Sequence, residues 1–190
     1  GLAWLTANLI ADGGTTEHSY AEIVDRLYPM AAGWGVRVDR EMTVLTGRTH
    51  VETADDFQAL FMQQWTQPAF DEADFERLRK QAKSYLETTL RYASDEELGK
   101  AGLEAFVFEG TRYAHPPAGS VAGLEAITLD DVRQFYAAHY TKDRVTFAIG
   151  GGYAPEQLAA LEATADMLPE RATSAPTWAP AVEPITGKHL

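Results

Sequence analysis

Seven stretches of this chain repeat apolar residues at three- and four-residue intervals, whereas only three alternate in period two. A chain with that ratio must bury most of its apolar surface through helix faces. Leu2, Leu5, Leu9 and Ile10 form the first face, stopped by Gly13-Gly14. Ser19-Tyr20-Ala21-Glu22 is a capping box opening a second helix with Ile23 and Leu27. Phe57, Leu60, Phe61 and Trp65 define a third helix, closed by Pro68. The longest helix is expected from Asp74 to Tyr92, with Phe75, Leu78, Ala82, Tyr85, Leu86 and Thr89 on one face. Another capping box, Ser94 to Glu97, starts a helix running towards Phe108, and two more helices are expected over Thr128 to Tyr140 and from Pro155.

The period-two stretches are Val36-Arg37-Val38, then Met42 to Thr46 across an Asp39-Arg40-Glu41 loop, and Val145 to Ile149, ending at a glycine turn. Sequential helices with a hairpin and no strict strand-helix alternation indicate an α+β fold, an antiparallel or mixed sheet with helices packed on one face. Three strands are few for so many helices, so the sheet is expected to be completed by residues before Gly1 or after Leu190. The domain is expected to span 1–168, with a proline-rich linker over 169–190 leading towards a second module.

Composition narrows the chemistry. A formal net charge of −12 over 190 residues opposes contact with nucleic acid, because each phosphate would be met against the protein's own field. The absence of cysteine excludes disulfides, thiolate metal sites and cysteine nucleophiles. The apolar runs fall far short of the roughly 18 residues that span a bilayer as a helix. No secretory signal opens the chain, which starts at Gly1.

Five histidines and 28 carboxylates remain as metal ligands. His18, His50, His115, His139 and His189 are scattered, and no pair has the H-E-x-x-H or H-x-x-E-H spacing that puts ligands on one helical face. His18 and Glu22 alone make a poor metal site and suit a capping or surface role, and His139 shares an apolar face with Phe135. The acidic groups Asp55-Asp56, Asp71-Glu72-Asp74, Asp95-Glu96-Glu97 and Asp130-Asp131 all fall in expected first turns of helices, where carboxylates complement free amides and the macrodipole. No nucleophile-elbow, phosphate-loop or dinucleotide motif occurs.

The order of several short motifs carries more. Gly1-Leu2-Ala3-Trp4-Leu5-Thr6-Ala7-Asn8 before Gly13-Gly14-Thr15 resembles the zinc helix of the pitrilysin/insulinase-type (inverzincin) metallopeptidases, in which Gly-Leu-Ala precedes H-x-x-E-H. Val38 to Val44 is similar to the strand that follows. Gly119-Ser120 through Ile127-Thr128-Leu129-Asp130-Asp131-Val132, then Phe135 with Tyr140 to Arg144, resemble later family segments, with Lys142 in place of proline and Gly151 in place of aspartate. The resemblance implies a metallopeptidase half-module whose catalytic positions are replaced. Where the family has two zinc histidines and a glutamate base, this chain has Trp4, Asn8 and Ala7. Indole cannot ligate through its protonated nitrogen, alanine supplies no base, and a neutral carboxamide is a poor zinc ligand. The family's third ligand is expected near Lys83 to Glu87, leaving Glu87 as a remnant with Lys80 at its companion position, and a substrate-contacting asparagine is replaced near Gly35.

The resemblance thus implies an inactive zinc-peptidase-like domain without zinc or other cofactor, a structural and peptide-binding partner of an active module in the same chain or a heterodimer. Its other partner would be a peptide or unfolded polypeptide, and its setting the bacterial periplasm. Two alternatives are an active zinc metalloendopeptidase whose metal site lies outside this fragment, and a protein-binding module unrelated to proteolysis.

Overall fold

The computed structural model describes residues 1–111 and 113–170, so the expected linker falls outside the described residues from 171 onward. Eight α-helices are described: α1 (Leu2–Asp12), α2 (Tyr20–Leu27), α3 (Ala54–Thr66), α4 (Glu72–Ser84), α5 (Asp95–Val107), α6 (Val121–Ala126), α7 (Leu129–His139) and α8 (Pro155–Ala165). Between α2 and α3 lies one antiparallel hairpin, β1 (Gly33–Val38) and β2 (Thr43–Arg48), registered so that Val38 faces Thr43 and Gly33 faces Arg48. The α+β architecture read from periodicity is borne out, with helices against the hairpin.

The core forms where α1 is enclosed. Leu5, Ala7 and Ile10 are fully buried, and Leu5, Leu9 and Ile10 join Met62 and Trp65 of α3, Phe75 and Leu78 of α4, and Leu129 and Val132 of α7 in one cluster. Trp34 of β1 tilts against Phe57 and Phe61 of α3, with ring centroids 5.9 and 5.7 Å away. Phe57 lies close under Gly47 of β2, where any Cβ would sit 2.6 Å from the ring. A side chain at position 47 would therefore push α3 off the hairpin.

Burying a helix leaves its last carbonyls to be satisfied by other groups. Gly13 ends α1 in an extended rather than a left-handed conformation, so no local turn covers those carbonyls. Three side chains from three elements do so instead. Trp34 Nε1 donates to Ala11 O at 2.8 Å, Gln64 Nε2 to Gly13 O at 3.3 Å, and Arg77 to Asp12 O. Asp74 holds Arg77 in place at 2.6 Å and accepts from Gly14 N at 2.9 Å, while the guanidinium lies 4.9 Å from the Tyr20 ring centroid.

Three differences from the sequence reading have local causes. Val145, Phe147 and Ile149 point inward alternately, as expected, but no described strand runs beside them and the segment has no ladder. Ser94 precedes α5 without capping it: its ψ is 73°, whereas the capping residues Ser19 and Thr128 have ψ of 158° and 162°, the extended geometry that aims the hydroxyl at the first turn. The long helix keeps its expected face only as far as Ala82. Beyond α4 it continues as a π-helical segment, Tyr85–Leu90, in which nothing is buried, because the wider turn carries the apolar face around the axis. Tyr85 is 43% exposed as a result.

Replacing Asp74 by Ala should release both Gly14 N–H and Arg77 and lower unfolding stability by about 2–4 kcal/mol. Urea denaturation checks this, and an unchanged midpoint would show that α1 is closed by its apolar contacts alone. Asp12 offers a pH test. Its burial raises the carboxyl pKa, with Arg77 only partly opposing. The folded state then binds the proton more tightly than the unfolded state, so the group costs stability above its raised pKa and that cost fades as pH falls through it. Asp12→Asn should remove this acid-side recovery, measured as midpoint against pH.

Candidate functional site

Trp4, Ala7 and Asn8, the positions that the sequence resemblance aligns with catalytic groups, share one side of α1, as positions i, i+3 and i+4 must. Trp4 is part-buried, packs against the core and lines a cleft of about 390 Å3. Ala7 is completely buried. Asn8 turns its amide back along its own helix, Nδ2 donating to Trp4 O at 2.8 Å.

The cleft is bounded by Trp4 of α1, Val38 of β1, Arg40 of the hairpin loop, Tyr85 and Leu90 of the π-helical segment, one side of α5 and the loop at Pro116-Pro117. Its charged groups are already matched to one another. Arg40 pairs with Glu104, and Lys100 lies 2.6 Å from Glu96 and 2.9 Å from Glu97. What remains for a ligand is the surface of Trp4, Tyr85, Leu90 and the two prolines. Gly119 seats the proline loop against the start of α1: its φ is +81°, and a Cβ there would lie 2.8 Å from Gly1 N.

Glu87 does not face this cleft. It is exposed and lines a separate groove with Lys80, Lys83, Arg79 and Glu125, in which Lys83 is bonded to Glu125 and Arg79 to Glu76. The π-helical segment separates the two surfaces by carrying Tyr85 and Leu90 to one and Glu87 and Thr88 to the other. Gly35 is an exposed residue of β1 with no atom near its absent side chain. Nor are the histidines among the described residues brought together, His189 lying outside them. His50 caps a single turn by accepting from Glu52 N at 3.3 Å, His139 stacks 4.3 Å from Phe135 beside Arg144, and His115 is exposed in the proline loop. Burial, then Arg144, lowers the His139 pKa, which favours the neutral ring.

The acidic clusters take the helix-end roles read from sequence. Asp71 accepts from Asp74 N at 2.9 Å, Asp131 completes a capping box with Thr128, and Glu22 does so with Ser19. Among the described residues no group of three or more His, Asp or Glu could hold a metal ion. Arg40, Tyr85, Glu104 and the proline pair were not singled out in the sequence as site residues. Tyr85 had a signal, an aromatic on the expected apolar face of the long helix, but its direction depends on the π turn.

Residues 126–189 match the family model of the peptidase M16 inactive domain. Nearly all of the chain superposes on several solved structures. One is a peptidase M16 inactive domain from Pseudomonas fluorescens, with a TM-score of 0.83 and 22% identity over 95% of this chain and 44% of that one. The chain has the fold of the M16 peptidase inactive domain. A protease from Helicobacter pylori superposes with a TM-score of 0.75 and 14% identity over 95% of this chain and 43% of that one. For the first half of the periplasmic protease PqqL from Escherichia coli the TM-score is 0.78 at 16% identity, over 96% of this chain and 40% of that one. No curated protein matches the chain. The resemblance to pitrilysin/insulinase-type peptidases is thereby borne out, and the chain spans less than half the length of these solved relatives.

The zinc that this fold family implies does not fit the residues present. A tetrahedral site needs three side-chain donors converging on one point. Here one ligand position is an indole and the other an amide already bonded to its own helix, the position of the base is a sealed methyl group, and Glu87, the expected remnant of the third ligand, opens onto another groove.

Restoring the motif with Trp4→His, Ala7→Glu and Asn8→His should therefore fail twice. A glutamate at the fully buried position 7 should cost about 3 kcal/mol or more through desolvation, and zinc should bind weakly with no useful peptide cleavage. Thermal unfolding and metal titration of the triple variant check both, and efficient cleavage would show that the rest of the site is intact.

Proposed function

We propose that this chain is a catalytically silent peptidase module that serves as a structural and peptide-binding partner of a second, homologous module. The observation that carries the reading is the condition of the α1 face. The position of the base is sealed in the core, that of one ligand is satisfied within its helix, and that of the other presents an indole to a cleft walled by Tyr85, Leu90, Pro116 and Pro117. Such a surface can hold apolar side chains of a peptide and has nothing poised to activate water.

A second module is supported by the lengths of the relatives, each carrying more than twice this chain, one of them as only the first half of a protease. The partner is proposed within the same polypeptide, with a heterodimer as the other arrangement. A bacterial periplasmic setting is proposed because two of the similar structures come from a periplasmic protease.

The test is to purify the protein with its nearest active homologue or second module and to follow assembly by light scattering and peptide cleavage by fluorescence. Co-purification is expected, with cleavage that depends on this chain but survives Asn8→Ala within it. Strictly monomeric behaviour with no change in the partner's cleavage rate would refute the reading. Elemental analysis should find no stoichiometric zinc in this chain, and one tightly held zinc per chain would point to an active site of its own.

A further inference from the structure

The polar and apolar sides of α5 are reversed relative to an ordinary surface helix. Its inward side carries Glu97, Lys100, Ala101 and Glu104 towards the cleft, where Glu104 pairs with Arg40. Leu98, Gly99, Gly102, Leu103 and Phe106 share another side at helical spacing, and none of them is buried. Leu103 is 63% exposed, Leu98 and Phe106 are each 43% exposed, and a Cβ added at either glycine would meet nothing within 4 Å. The helix buries no residue at all, although its inward side is bonded to the hairpin loop. It is therefore anchored through its charges and presents a smooth apolar stripe outward.

The surroundings of the stripe say what can cover it. Exposed Asp95 and Glu96 lie at its N-terminal end and exposed Glu109 just beyond its C-terminal end, on a chain of net charge −12. A second copy would bring acidic ends against acidic ends, which disfavours self-association. A complementary surface has an apolar patch bordered by lysine or arginine. Relatives of this fold carry at least as much chain again as this one, enough for another module of similar size. We infer that the outward stripe of α5 is the surface on which the second α+β module docks, through an apolar patch with a basic border. This rests on the two-module reading above and names the face that joins the modules.

Hydrogen exchange on the complete two-module protein, with and without the double substitution Leu98→Lys and Leu103→Lys, tests it. Both side chains point outward, so the helical content and melting temperature of the 190-residue chain itself should not change. In the unsubstituted protein, amides of 98–107 should exchange at least about 100-fold more slowly than those around exposed Leu158 on α8, and the lysines should abolish that difference. If the modules form one compact unit while 98–107 exchange as fast as α8, or if the lysines leave protection intact, the docking face is wrong and the two-module reading stands. If the modules do not pack at all, both fall. Protection that rises with the concentration of this chain alone would assign the stripe to a second copy and overturn the choice of partner.

Discussion

Everything in this fold is arranged around the C-terminal end of α1. A helix whose residues Leu5, Ala7 and Ile10 are fully buried cannot leave its last carbonyls to water, and each buried unpaired carbonyl would cost on the order of 1–3 kcal/mol. The three carbonyls at Ala11, Asp12 and Gly13 are taken by Trp34, Arg77 and Gln64, which belong to β1, α4 and α3. One end of one helix thus fixes the hairpin and two further helices relative to itself. Gly14 extends the junction, donating to Asp74 and accepting from Ala69 N at 2.9 Å, which draws in the segment that joins α3 to α4. There Phe70 adopts a left-handed φ of 47° and places its ring 5.3 Å from Tyr136 of α7. The Tyr136 hydroxyl donates to Trp65 O, and burial raises its pKa to about 12, so it stays a neutral donor over the whole working range of the protein.

The parts of this arrangement that were legible in the sequence are those decided within a few residues. Ser19 with Glu22 is a capping box in the sequence and in the structure, Asp130-Asp131 fall in the first turn of α7 as expected, and the Asp39 turn closes the hairpin by accepting from Glu41 N and Met42 N. The rest is settled by neighbours remote in the chain. The Val145 to Ile149 segment has the alternation of a strand, but a strand also needs a partner, which periodicity cannot supply. Ser94 has the right residue type and the wrong ψ, because α4 and its π-helical extension end so close to it.

The site divides along the same line. The reading that Trp4, Ala7 and Asn8 stand where the resembled family has two zinc histidines and a base rests on residue identity along one helix, whatever surrounds it. Where Tyr85 points does not. In an unbroken α-helix it would remain on the buried face with Ala82, whereas in the π-helical segment it is 43% exposed and lines the cleft with Trp4. Glu87 follows Lys83 and Lys80 at the spacing that keeps residues on one side of a helix, and it shares their groove.

On the proposed reading, the loss of catalytic groups and the gain of a binding surface are two consequences of one packing change. A catalytic glutamate at position 7 would have to remain charged at a place with no solvent access, which requires a cation beside it such as a bound metal. Without the two histidines no metal can compensate that charge, and alanine is the residue that closes the core at least cost. Once position 7 is closed, position 4 no longer needs to reach a metal, and an indole there can rest one edge on the core while the other lines the cleft with Tyr85 and Leu90. The pairing of Arg40 with Glu104 completes the change, since it braces the hairpin loop against α5 and leaves the cleft without uncompensated charge from that pair.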